Sequence, residues 1–181
     1  MEELALHILD LVQNCAEAGA SMVEITIIED FSSNLLLIEI RDNGRGMSPE
    51  VLANVEDPFF TTRTTRHVGL GIPLLKAAAE QAGGSFVITS SPGKGTTVRA
   101  EFEHDNIDRA PLGSVCDTVV ALLAVHPRLD LVYTHSVNGT EFVLDGREIR
   151  EICGEDLNHP KIIQWLKSYI AEQEKQLGGD Q

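Results

Sequence analysis

The sequence predicts an α/β (α+β) sandwich: a mixed sheet covered on one face by helices, followed by a small α+β C-terminal unit. Three observations carry this. Leu4, Ile8, Leu11, Val12 and Cys15 recur at helical spacing through Glu2–Ala18. Val23, Ile25 and Ile27 alternate with polar or outward positions, as a strand with one buried face does. The order of elements through the first hundred residues is helix, two strands, loop, helix, two strands, which separates helices and strands into two layers.

Each element has its own local signal. Gly19 stops the first helix. Val23–Glu29 and the Leu- and Ile-rich Asn34–Arg41 are the first two strands. Asp42–Met47 is too rich in glycine to continue a strand, and Ser48-Pro49-Glu50 reads as an N-cap and first turn. Asp57–Val68 is polar and rich in threonine, without a period, and so a loop. Gly71–Gln81 is a helix closed by Gly83-Gly84, and Ser85–Ser90 and Thr96–Glu103 are strands joined through Ser91-Pro92-Gly93-Lys94-Gly95. The polar stretch 105–112, with Asp105, Asn106, Asp108 and Pro111, marks a boundary between residues 1–104 and 113–181. Beyond it come a helix over Gly113–Val125, a hairpin of Leu131–Val137 and Thr140–Leu144 around Asn138-Gly139, and a helix over Lys161–Gln176. Trp165 and Tyr169 lie among Ile162, Ile163, Leu166 and Ile170 on that last helix, a pattern that reads as core.

Composition narrows the function classes. A formal charge of −14 without a basic run argues against nucleic acid as a partner. No apolar stretch reaches the length of a membrane span, and the start Met1-Glu2-Glu3 is acidic where an export signal is basic, so a cytoplasmic location is expected. Cys15, Cys116 and Cys153 show no CxxC pairing and no finger-like spacing with the six histidines, which fits free thiols in a reducing compartment. Asp117, His126, His135 and His159 read as solvated surface groups.

Four pieces carry chemistry. Asp10 and Asn14 stand one turn apart on the first helix, with His7 three residues earlier; an asparagine oxygen is a hard ligand suited to Mg2+. Asp42-Asn43-Gly44-Arg45-Gly46 follows a hydrophobic strand and combines a carboxylate, able to accept from an exocyclic amine, with glycines that let a ligand approach; it also reads as an ordinary turn. Gly69-Leu70-Gly71 opens a helix, whose N-terminus attracts anions, after a stretch containing Arg63, Arg66 and His67. Gly93-Lys94-Gly95-Thr96-Thr97 is a tight turn that puts Thr96 near a strand start.

In this order and spacing the four pieces resemble the N, G1, G2 and G3 boxes of the GHKL ATPases, with Pro58-Phe59-Phe60 resembling the F box, over roughly residues 4–103. The resemblance implies ATP and Mg2+ as cofactors, with Asn14 as metal ligand and Asp42 on the adenine amino group, assisted by Thr96. It implies close backbone passage at Gly44, Gly46 and Met47. It implies a lid over Pro58–Val68 that includes Thr62, Arg63, His67 and Val68, and phosphate contacts at Gly69, Leu70 and Gly71. Asp10 occupies the position of the water-activating glutamate, one methylene shorter, with His7 a bystander; reach must then come from the backbone or a second water. The Asn14–Ala20 and Asp42–Met47 stretches look closest to mismatch-repair ATPases, whereas Phe60–Arg63 and Gly69–Ile72 look like sensor histidine kinases. Glu17 departs from the kinase pattern, and the N box begins too near Met1 for a phosphoacceptor hairpin to precede it. Three functions follow as expectations: a module phosphorylating or regulating a partner protein in trans, a slow ATPase switch, or a nucleotide-binding regulatory module without turnover. A phosphoacceptor protein or a second copy of the chain is the expected partner.

Overall fold

The computed structural model describes residues 3–60, 70–154 and 156–178. Its elements in order are α1 (Leu4–Glu17), β1 (Met22–Asp30), β2 (Leu35–Asp42), α2 (Pro49–Asn54), α3 (Gly71–Gln81), β3 (Ser85–Ser91), β4 (Gly95–Glu103), α4 (Val115–Val125), β5 (Asp130–Val137), β6 (Thr140–Asp145), α5 (Gly146–Cys153) and α6 (Pro160–Leu177). The strands form a single mixed sheet in the order β3-β4-β2-β1-β5-β6, parallel only between β1 and β5.

Alternation along each strand decides which face is covered. Val23, Ile25 and Ile27 of β1, Leu36, Ile38 and Ile40 of β2, and Leu131 and Tyr133 of β5 are buried toward the helices. The opposite face carries Glu24, Arg41, Glu39, Arg99 and Glu101, tied into surface ion pairs. Each fully buried Leu or Ile contributes on the order of 1.5–3 kcal/mol, so this one face supplies most of the drive to fold.

The expected division at 105–112 is not a break in the sheet or the core. β5 pairs with β1 over eight residue positions, from Met22↔Asp130 to Glu29↔Val137. One hydrophobic cluster runs from Leu4 to Leu177. The connecting stretch also caps α1: the Pro111 and Leu112 carbonyls accept from the Leu4 and Ala5 amides, both at 2.9 Å, where Glu3 offers no side-chain cap. A parallel neighbour lets β1 bury its second edge, and that gain is absent from a sequence read piece by piece.

One further element was not expected, and one expectation changes. Residues 146–153 form α5, which has only Ile149 and Ile152 as apolar periodicity and starts on a glycine; its order comes from Asp145, whose carboxylate accepts from the Arg147 amide at 2.9 Å. Trp165, read as core, is 43% exposed and stacks on the half-buried Tyr169 with ring centroids 5.5 Å apart. Leu166 and Ile170 take the buried positions instead.

Candidate functional site

Asp42 lies at the end of β2, in phase with Leu36, Ile38 and Ile40, so its carboxylate projects into the helix-covered layer. It is 8% exposed, and its Oδ1 accepts from the Gly44 amide at 2.7 Å. The surrounding loop is tied down at several points. Asn43 Oδ1 accepts from the Ser21 and Met22 amides, each at 2.9 Å. Arg45 donates its amide to the Ala18 carbonyl and Nη1 to the Glu17 carbonyl, both at 3.0 Å, closing the C-terminal end of α1.

Two glycines make this packing feasible. Gly46 has φ +66°, and a Cβ there would overlap the Ser91 carbonyl; Gly95 has φ +81°, and a Cβ there would overlap the carbonyl of Asp42 itself. The β3–β4 hairpin therefore lies against the strand end that carries Asp42. Ser90 joins the pieces: its hydroxyl accepts from the Met47 amide at 2.8 Å, donates to the Gly95 carbonyl at 2.9 Å and lies 2.9 Å from Thr96 Oγ1.

The other group of residues gathers where α1 meets α3. A Cβ built on Gly71 would stand 3.3 Å from Asp10 Cβ and 3.7 Å from Asn14 Nδ2, so the start of α3 rests on the turn of α1 holding both side chains. Asp10 is exposed and Asn14 half-buried. Leu70, the N-cap of α3, is 38% exposed and makes no side-chain capping bond. His7 does not share the open face of Asp10; it is buried at 5% exposure inside the helix layer.

α1 links the two groups through consecutive residues, Asn14 beside Gly71 and Cys15 beside Asp42. Burial pushes the Cys15 thiol far above its ordinary range, and the charge and hydrogen-bonding influence of Asp42 push it the same way, so the sulfur keeps its proton. Thr62, Arg63, His67, Val68 and Gly69 lie outside the described residues. Among those described, no cluster of three His, Cys, Asp or Glu side chains has the geometry of a metal site.

Cys15 and Ser90 are not among the site residues expected from sequence. Both carried a signal: Ser90 falls in phase with the inward Phe86 and Ile88, and Cys15 stands four residues after Leu11 on the buried stripe of α1. A polar or polarisable group at an inward position needs a partner. His135 gives the same signal between Tyr133 and Val137, and it corrects the solvated-surface expectation. It is 7% exposed, with Nε2 2.9 Å from Glu29 Oε1 and Nδ1 3.2 Å from the Tyr133 hydroxyl, which donates to Glu174 at 2.7 Å. Glu29 also meets His104 Nε2 at 2.7 Å. Burial opposes charge on His135, but hydrogen bonds and charges from Glu174 and Glu29 outweigh it and raise its pKa to about 9. Glu29 is lowered to about 2, chiefly by its bond to His135, against the cost of burial and with help from His104. This network sits at the opposite end of β1 from Asp42: β1 pairs Val23 with Asp42 and Glu29 with Leu36.

The mixed sheet places the buried strand-end carboxylate of Asp42 under the helix layer that contains α1, and comparison with known proteins supplies the family. The chain belongs to the family described as histidine kinase-, DNA gyrase B-, and HSP90-like ATPase, matched over residues 2–106. It is 32% identical over 102 residues to the sensor protein SrrB of Staphylococcus aureus, covering 54% of this chain and 18% of that one. The chain thus spans less than a fifth of the length of the curated relatives it matches. In fold it is similar to the N-terminal domain of a DNA repair protein (TM-score 0.58, 15% identity, 85% of this chain and 57% of the other). It is also similar to the Aquifex aeolicus MutL ATPase domain complexed with ADP (TM-score 0.51, 16% identity, 87% and 70%). Both structural likenesses extend past residue 106, in keeping with a sheet that continues through β5 and β6. Among the described residues, no helix is long and apolar enough to cross a membrane.

Proposed function

We propose that this chain binds Mg-ATP and passes the γ-phosphoryl group to a partner protein in trans. One observation carries the reading: consecutive residues of α1, Asn14 and Cys15, adjoin the open Asp10–Gly71 corner and the buried Asp42 carboxylate, spacing two unlike subsites along one helix. Asp42 accepts from the 6-amino group of adenine, an acceptor-only group facing a donor. Thr96, held by Ser90, borders the base. The first amides of α3 and Leu70 hold phosphate oxygens.

The corner near α3 fits a hard cation, since the Asn14 amide oxygen is an oxygen ligand and the corner opens to water, which completes the shell. Mg2+ bound there would supply charge neutralisation on the transferring phosphate. Asn14 orients that charge, and Asp10, at the mouth, accepts the proton of the incoming nucleophile. A cytoplasmic site of action is part of this proposal, supported by three free cysteines.

Asp10 also favours a second reading. An exposed carboxylate within a turn of Asn14 can activate water as readily as a protein nucleophile, which makes a slow ATPase switch with a partner or a second copy. Incubation with ATP labelled on the γ-phosphate, alone and with cell extract, separates the two. Label on a partner protein supports transfer in trans. Phosphate release alone, abolished in Asp10→Asn, supports the switch. Neither signal with ATP binding retained leaves a nucleotide-sensing module and overturns both enzymatic readings.

A further inference from the structure

We propose that the open edge of β6 docks an extended segment of a partner protein, basic on one face and apolar on the other, which adds a further strand to the sheet. That edge stands three strand spacings, about 14 Å, from β2 and its Asp42. β6 ends the order β3-β4-β2-β1-β5-β6, and among the described residues no strand but β5 pairs with it. The other end strand, β3, has α2 packed beside it. Hairpin geometry decides which backbone groups of β6 face outward. Asn138 and Gly139, with φ +49° and +87°, form a two-residue type I′ turn, whose closing hydrogen bond joins Val137 and Thr140. Bonded and non-bonded pairs alternate from there. Glu141 and Val143 therefore turn their amides and carbonyls away from β5, toward the open edge.

Side chains on the two faces of that edge select the occupant. On the helix-free face Glu141 is exposed and Val143 is 51% exposed, and Ser136 and Thr134 opposite them bring no cation to offset Glu141. On the covered face the helices pack in the order α3, α1, α4, α6, so α6 ends the layer. Its Lys167 turns toward α4, where Nζ pairs with Asp117 at 2.7 Å. Trp165 and Tyr169 each stand two residues from Lys167, about 200° round the helix, and so look away from α4. Tyr169 meets Phe142 of β6 edge-on at 5.9 Å, and Trp165, 43% exposed, stacks on Tyr169. The aromatic pair thus forms a shelf at the rim of β6. An added strand sends alternate side chains to that shelf and to Glu141, while its backbone bonds the outward groups.

A second copy of the chain fits this edge badly. Antiparallel pairing of β6 with itself sets Glu141 opposite or diagonal to Glu141 or Asp145 of that copy, where like charges repel. Each chain also carries a formal charge of −14. A basic segment meets the same carboxylate with attraction, and its apolar face covers an indole ring that the fold leaves in water.

The test titrates the full chain with two end-capped synthetic peptides, one alternating lysine with valine and the other glutamate with valine, and follows the fluorescence of Trp165, the single tryptophan. The lysine peptide is expected to shift Trp165 emission saturably and to bind about tenfold or more tightly than the glutamate peptide. Val143→Pro deletes one outward amide without removing a bond to β5, and it is expected to weaken the lysine peptide about tenfold. Glu141→Lys is expected to reverse the preference between the peptides. No saturable Trp165 response to either peptide, or binding unchanged in both variants, overturns the proposal. So does a wild-type dimer in sedimentation that Val143→Pro dissociates, since a second copy then holds the edge. Circular dichroism accompanies each variant. Should Val143→Pro not fold, a lysine peptide N-methylated at alternate residues is titrated into wild type, and binding as tight as that of the unmethylated peptide overturns the proposal.

Discussion

At the end of β2, Asp42 is 8% exposed, and its loop is held by Asn43, Arg45, Ser90 and two positive-φ glycines against carbonyl oxygens. At the start of α3, Asp10 is exposed, Asn14 is half-buried and Leu70 makes no side-chain capping bond. The two regions share α1 yet are built on opposite plans. The first has its backbone amides and carbonyls committed to the protein itself, so few geometries are open to it. The second keeps oxygen atoms near water, as suits a hydrated cation and a phosphate whose charge must be met and then released. The contrast teaches that, under the proposed function, recognition would fall to the buried strand end and chemistry to the open helix junction.

The largest effect belongs to the pinned region. Gly95→Ala forces a Cβ into the Asp42 carbonyl at a positive φ, and it is expected to cost on the order of 3 kcal/mol or more, read as a lowered midpoint in denaturant together with lost nucleotide binding. A variant as stable as wild type would break the contrast, since the strand end would then be as yielding as the helix junction. Asp10→Asn, in the open region, is expected to leave stability and ATP affinity nearly unchanged while reducing turnover by about 100-fold or more, measured as phosphate released or transferred. Asp42→Ala is expected to weaken ATP binding by roughly 30- to 100-fold with turnover falling only through occupancy, which saturating ATP should restore.

A smaller effect sharpens the comparison by leaving the site untouched. His135 is raised from its ordinary value of 6.5 to about 9 by Glu174 and Glu29 despite burial. Its contribution is therefore complete below pH 6.5 and disappears as pH rises through 9. Glu29, lowered from 4.5 to about 2, contributes above pH 4.5 and loses that contribution as pH falls through 2. The groups facing His135 are Glu29 of β1, Tyr133 of its own strand and Glu174 of α6, with His104 behind Glu29. Unfolding free energy should drop by about 2 kcal/mol between pH 6.5 and 9, and the drop should vanish in His135→Gln. ATP affinity measured over the same range should not follow it, because the network lies at the far end of β1. The smallest effect is expected for Ser90→Ala, about 1 kcal/mol of stability and a few-fold weaker binding, from loss of the link among Met47, Gly95 and Thr96.

The first hundred residues were readable because their signals are local. The helix predicted over Gly71–Gln81 has those bounds, Ser48 caps α2 by accepting from the Val51 amide, and Asn138-Gly139 turns the hairpin with φ +49° and +87°. What escaped was non-local. That β5 lies beside β1 follows from burying a strand edge, and no residue in 113–181 announces it. α5 depends on a cap and an Asp145–Arg147 ion pair rather than on apolar period. Asp10, Asn14 and Asp42 could be selected from spacing and resemblance, whereas Ser90 and Cys15 act through contacts across the sheet and helix layers. Inward phase marked both as unusual without naming their partners.

The central claim is that one helix joins a base subsite at Asp42 to a phosphate subsite at Gly71. Backbone amide NMR, with adenosine titrated first and Mg-ATP second, tests it most directly. The account predicts that adenosine shifts the amides of Gly44, Met47 and Gly95 while leaving Leu70, Gly71 and Ile72 in place, and that Mg-ATP then moves both sets. Shifts confined to another surface, such as the open groove lined by Glu29, Phe31 and Asn138, or Mg-ATP shifts at Gly71 that never reach Gly44, would contradict it.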